Sequence, residues 1–416
     1  MGAFNTALSG LQAANTDLQT LGNNISNANT VGFKSSNAEF ADAYASAMAN
    51  TAPTDGQVGI GTTVQTIAQQ FTQGNIETTS NPLDVAINGN GFFQFNYNGS
   101  TVYGRNGQFQ LNKNGVIVDA NGGELIGTQA QNGKLTGASG PLTINQNAIA
   151  PQATSGLSLG LNLDSTNTPI SGNASININD PSTYNYSTTT TVYDSLGTPQ
   201  LLTTYYQLQS GSGTTSSGQT WKVDYSVTGT TGASGITSGS VGTLQFNAYG
   251  QETSSISQPI TGTPWADGAA STTINVSFSG STNYNSPNSV ITNNSNGYSA
   301  GQLSGLSIDS GGNIFGRYSN GESQLMGQIS LTRFPDNNGL QNLGNNYWAE
   351  TYVSGQPLSG GPGSSNLGVL QAGAVEQSNV DISKDLVNLI VAQQAYQANA
   401  QTIKTQNTVV QTLLSL

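Results

Sequence analysis

The sequence predicts an α+β protein, mainly β, whose two terminal helices pair as a coiled-coil-like domain around two β domains, the outer one inserted in the middle one. Three observations predict it. Apolar residues recur every seven positions only at the two ends. Asn-Gly pairs punctuate short apolar runs between residues 85 and 125. A stretch richer in Ser, Thr and Gly, residues 146 to 284, interrupts strand patterns that resume after it.

The first helix covers residues 1 to about 33. Phe4, Leu11, Leu18 and Ile25 recur every seven residues, with Ala7, Ala14, Leu21 and Ala28 three after each, which is an a/d stripe. Asn23, Asn24, Asn27 and Asn29 then end it, because asparagine hydrogen-bonds its own backbone and tolerates left-handed conformations. Gly32 permits a turn that a β-carbon would hinder, and Phe33 follows it. Residues 34–70 read as a connector. The middle β domain is expected at 71–145 and 285–369. Its turns are Asn88-Gly89, Asn90-Gly91, Asn98-Gly99, Asn106-Gly107, Asn114-Gly115 and Asn121-Gly122, each able to supply the positive φ of a primed hairpin turn. Residues 146–284 form the inserted outer domain, and "DSLG" at 194–197 reads as a turn within it.

The last helical segment is expected within 370–416. Ile382, Leu389, Tyr396, Ile403 and Val410 make one seven-residue row, and Leu386, Gln393, Ala400, Asn407 and Leu414 the adjoining one. The two terminal stripes can face each other, and polar Gln393 and Asn407 in a seam set register or partner number at some cost in stability. The bland alternative is that both stripes pack on one globular core, as most amphipathic helices do. Charge argues otherwise. Asp17 is the only charged residue among the first 33, so the back faces carry Asn, Gln, Thr, Ser and Ala where a solvated coiled coil uses Lys and Glu. Packing among many copies tolerates such faces, which makes the stripes an assembly device.

Composition excludes much else. Of 416 residues 7% are charged, against about 25% in ordinary soluble proteins. The net charge is −12 and the nine Lys and Arg are scattered singly, Lys34, Arg105 and Lys222 among them, so no nucleic-acid partner is expected. No apolar run is long enough to insert in a membrane. The start, "MGAFNTALSG", has no basic region before an apolar core, so no cleaved secretory signal is expected. Gly2 and Thr6 fit a myristoylation pattern, but no basic patch accompanies it.

Catalytic, cofactor and metal residues are expected to be none. Without histidine, the Gly-x-Ser-x-Gly matches at 156–160 and 297–301 have no imidazole to activate a serine. Without histidine or cysteine the usual zinc sites fail, and no dinucleotide or phosphate loop is complete. A pair of carboxylates meeting only in space remains open as a glycosidase alternative.

The two end segments resemble a known family. "ALSGLQAANTDLQTLGNNISNANTVGFKS" is similar to the N-terminal signature of the bacterial flagellar axial proteins of rod, hook and hook-filament junction, and "GAVEQSNVDISKDLVNLIVAQQAYQANAQTIKTQNTVVQTLLSL" to their C-terminal one. "SNPLDVAINGNGFFQF", "YGRNGQFQLNKNGVIVD", "TVYDSLGTP" and "YSNGESQLMGQISLTRFPDNNGL" resemble the hook proteins in order and spacing. The resemblance implies a subunit of a curved tube, a universal joint carrying motor torque to the filament, with the terminal helices as inner tube and the inserted domain outermost. It implies a homopolymer with contacts to distal rod, hook cap and hook-filament junction proteins. It also implies export by the flagellar type III apparatus to the extracellular hook. Gln394 stands where the family commonly has Arg, and "TQNTVV" replaces a more acidic run, which bears on inner-tube contacts.

Overall fold

The computed structural model of the chain describes residues 2–43, 61–171, 175–209, 218–232, 235–254 and 256–414. Helix α1 spans Gly2–Ser26 and helix α2 spans Ile382–Leu414, and the remaining regular structure is almost entirely β. The chain divides into two compact units, one of Met1–Gln146, Gly305–Gly316 and Ser323–Leu416, the other of Asn147–Ser304 and Arg317–Glu322.

In the first unit, strands β1 (Ser36–Ala43) and β2 (Gly61–Gln69) form an antiparallel ribbon with a bulge between Glu39 and Phe40. The ribbon lies along α1: Thr62 N donates to Ser9 Oγ at 3.2 Å, and a β-carbon on Gly61 would run into the same hydroxyl. The expected connector is thus largely a strand pair. Beyond it the strands Ser323–Ile329, Glu124–Gln131, Phe92–Tyr97, Ser100–Gly104, Tyr347–Ala349 and Gln341–Gly344 lie side by side in one sheet. Phe92, Phe93, Phe95, Phe109 and Trp348 fill its buried side, with Phe93 and Phe109 edge to face at 5.1 Å. Val85–Asn88 pairs with Val369–Ala372, and Ile76–Thr78 with Ala374–Glu376. These two short ladders bring the chain back beside its start and deliver α2 to α1.

The second unit is a sheet of five antiparallel strands, Tyr186–Tyr193, Pro199–Leu208, Thr220–Thr228, Ile236–Phe246 and Glu252–Ser254, and a sheet of four. Its core includes Leu159, Leu161, Tyr206, Trp221, Val223 and Phe278, all essentially inaccessible. The insertion ends later than the composition suggests. Ser289–Ser295 pairs along Gly156–Asn162, from Leu157 opposite Ser295 to Asn162 opposite Ser289, so the segment expected to return to the middle domain at 285 remains in the second unit to Ser304.

The turn chemistry also differs from expectation. Of the six Asn-Gly pairs only Asn98-Gly99 has both residues at positive φ, 51° and 82°, closing the hairpin from Tyr97 to Ser100. Asn132-Gly133 and Asn345-Asn346 do the same elsewhere. At Asn114-Gly115 and Asn121-Gly122 only the glycine is left-handed, because Asn112 and Asp119 already close those turns by accepting backbone N–H groups.

Candidate assembly surface

Helix α2 starts at Asp381, whose Oδ1 accepts Lys384 N at 3.1 Å as an N-cap. It runs antiparallel to α1: Gly10 lies against Asn399, and Leu21 shares a groove with Asp385 and Asn388. The contact is made by small side chains. Ala7, Ala14 and Ala392 are buried, and a β-carbon on Gly10 would sit 2.9 Å from the Asn399 amide. Burial pushes the Asp17 carboxyl above its usual range, and nearby Asp385 adds to the shift.

The seam differs from the one read by heptads. On α2 the side facing α1 carries Asp385, Leu389, Ala392, Asn399, Ile403 and Gln406. The first predicted row is therefore only partly used: Leu389 and Ile403 are half-buried, whereas Ile382, Tyr396 and Val410 are exposed. The second row is one position off. Leu386, Gln393 and Asn407 face solvent and Ala400 is half-buried, because close approach needs Ala392 and Asn399 opposite Gly10, which turns Leu386 outward. The Leu414 side chain lies outside the described residues. On α1, Leu21 is buried, Leu11, Leu18 and Ile25 are half-buried, and Phe4 is exposed.

What this leaves in water is an apolar face. Leu386, Val387, Ile390 and Val391 project from the first three turns of α2, with Val387 61% and Val391 59% exposed. These turns are apolar nearly all round, as in a helix surrounded by protein.

The asparagine run holds the base of the pair. Asn24 exchanges two hydrogen bonds with Ser36, donating to its carbonyl at 2.8 Å and accepting its N–H at 2.9 Å, so α1 is tied to β1. Asn27 N bonds the carbonyls of Asn23 and Asn24, finishing the helix. None of Asn23, Asn24, Asn27 and Asn29 has positive φ, so left-handed tolerance is not what they supply. Asn23 and Asn29 are exposed and Phe33 is half-buried. Gly32 does have a φ of 72°, and a β-carbon there would lie 2.6 Å from Asn106 N and 2.8 Å from the Arg105 carbonyl carbon. We expect Gly32→Ala to cost about 2–4 kcal/mol, strain plus overpacking, measured by urea unfolding of the purified chain.

Sequence reasoning missed the centre of this region. Lys34 and Arg105, taken as scattered cations, converge on one buried carboxylate. Lys34 Nζ lies 2.7 Å from Glu376 Oε1 and Arg105 Nη1 lies 3.0 Å from Oε2, with all three side chains essentially inaccessible. Lys34 also donates to Thr72 O and Arg105 to Gly89 O, while Glu376 accepts Gly74 N. Burial, partly offset by Glu376, holds both cations below their usual pKa range. The cluster ties the connector, a middle-domain hairpin and the strand leading to α2. The one signal available was that two of only nine basic residues sit in apolar or glycine-rich context, "VGFKS" and "YGRNG".

Comparison with known proteins matches the same segments. Family models described as Flagella basal body rod protein, Flagellar hook protein FlgE/F/G D1 domain, Flagellar basal body protein FlaE D2 domain, and Flagellar basal body rod FlgEFG protein C-terminal match residues 4–34, 86–168, 162–298 and 371–416. The Flagellar hook protein FlgE of Salmonella typhimurium strain LT2 is 40% identical over 420 residues, covering 100% of both chains. This chain belongs to the flagellar hook protein family. The Escherichia coli K12 hook protein is 38% identical over the same length. The crystal structure of Helicobacter pylori flagellar hook protein FlgE2 shares the fold, with a TM-score of 0.53 at 14% identity, over 72% of this chain and 100% of that one. As a hook-family chain it is a structural flagellar component, and end-to-end similarity to hook proteins does not favour the rod or junction alternative.

Proposed function

We propose that copies of this chain polymerise through the outward face of α2 into a curved tube with the helical pairs innermost, a flexible joint that passes motor torque to the filament. The observation that carries the proposal is the apolar face of Leu386, Val387, Ile390 and Val391, which a single chain leaves in water. Burying each such side chain is worth about 1.5–3 kcal/mol, so a repeated contact along a polymer favours assembly strongly. The scarcity of charge suits faces that meet copies of themselves, since like charges repeated along a polymer would repel. The same reading extends to contacts with distal rod, cap and junction proteins at the tube's ends, and to export by the flagellar type III apparatus. Electron microscopy of concentrated full-length protein tests it: short curved tubes are expected, and amorphous aggregate or a persistent monomer at millimolar concentration would overturn it.

A further inference from the structure

In the second unit, the turn after Tyr186–Tyr193 packs against the turn at Asp267-Gly268. Thr198 Oγ1 donates to Asp267 Oδ2 at 3.1 Å, and Ala270 N donates to Ser195 Oγ at 2.8 Å. Asp194 organises the first turn through one oxygen only. Its Oδ1 accepts Leu196 N at 2.8 Å and Thr198 N at 3.0 Å.

The other oxygen has no partner. Asp194 is completely inaccessible, and its Oδ2 accepts no hydrogen bond among the described residues. What it faces, within hydrogen-bonding reach, is the carboxylate of Asp267. Two acceptors so placed repel unless something positive lies between them. No side chain supplies it: all nine Lys and Arg are described, and none lies within 4 Å of either aspartate. The Ala269 N–H, 3.1 Å from Asp267 Oδ1, keeps that carboxyl below its ordinary range and so ionised at neutral pH.

We propose that a hard divalent cation of the calcium class sits between Asp194 and Asp267 and clamps the two turns together. Two carboxylates balance a charge of two. The donors are all oxygen, which suits calcium or magnesium and disfavours softer metals. Gly197 at φ 84° and Gly268 at φ 83° give each turn its tight form without a side chain on the outside. With only two protein carboxylates, waters complete the shell, and the affinity belongs to the weak class of extracellular modules, around 10⁻⁴ to 10⁻³ M.

Terbium luminescence on the full-length chain tests this, because Trp265, two residues before Asp267, can sensitise a bound lanthanide. We expect saturable emission from one site, displaced by millimolar calcium and not by equal sodium. Asp267→Asn, at an exposed position, should weaken binding at least tenfold. Asp194→Asn should do the same while keeping the oxygen that holds the turn. Asp180→Asn, an exposed control on the same unit, should leave binding unchanged. At ten times the dissociation constant, calcium should favour the folded state about elevenfold, seen as a rise in melting temperature that EDTA abolishes. Equal terbium binding in Asp267→Asn would overturn the proposal. So would a calcium-independent melting temperature that rises on acidification, the signature of a proton shared by the two carboxyls.

Discussion

Replacing Glu376 with glutamine is expected to destabilise the first unit by about 3–5 kcal/mol, the cost of leaving buried cations without their counter-ion. Glu376 is the sole carboxylate within ion-pair distance of Lys34 and Arg105, and it is inaccessible to solvent. Glutamine keeps the shape and an acceptor for Gly74 N, so the loss measured is one of charge. The pH dependence identifies the cause. Burial lowers the Lys34 pKa and Glu376 opposes that shift, so without Glu376 the folded-state pKa falls further below its unfolded value. The unfolded chain then binds more protons than the folded one, and stability rises with pH through the folded-state pKa up to the unfolded one. The variant should therefore recover stability on going alkaline over a wider pH window than the parent, as read by urea midpoints. A loss that is pH-independent would mean that packing, not charge, is what Glu376 supplies.

The same triad shows where sequence reading runs out. Local pattern carries the helices, because a seven-residue repeat is visible in any window that contains it. It carries strands and turns as well, since Asn-Gly and alternating apolar runs are short-range signals. Lys34, Arg105 and Glu376 lie 71 and 271 residues apart in successive steps, and no periodicity connects them. Asp194 and Asp267 are likewise joined only by the packing of two turns. The domain edge at 304 was hidden for a related reason: Ser289–Ser295 has an ordinary strand composition, and only its partner strand assigns it to the second unit. Helix α2 failed more subtly. Its first turns are apolar at Ile382, Leu386, Val387, Leu389, Ile390 and Val391, so several adjoining heptad rows fit equally well, and the small surface of α1 chooses among them.

That ambiguity makes the outward face a sharp test. Val387 and Val391 are one turn apart and more than half exposed in the single chain. Changing either to glutamate removes little packing, and glutamate is the better helix former, so monomer stability should move by no more than about 0.5 kcal/mol. In a polymer the same side chains would be buried between copies. There each substitution forfeits about 1.5–3 kcal/mol of apolar burial and adds a charge that is expensive to bury unpaired. Because the contact repeats in every subunit, the expected result is no tubes by electron microscopy at concentrations where the parent forms them, and non-motile cells carrying the variants. Leu21→Ala supplies the contrast. Leu21 is buried within the single chain, so truncating it should cost about 2–5 kcal/mol in the monomer itself. If Val391→Glu assembles like the parent, the face of α2 that α1 leaves open is not the one on which copies meet, and the tube must be built through another surface.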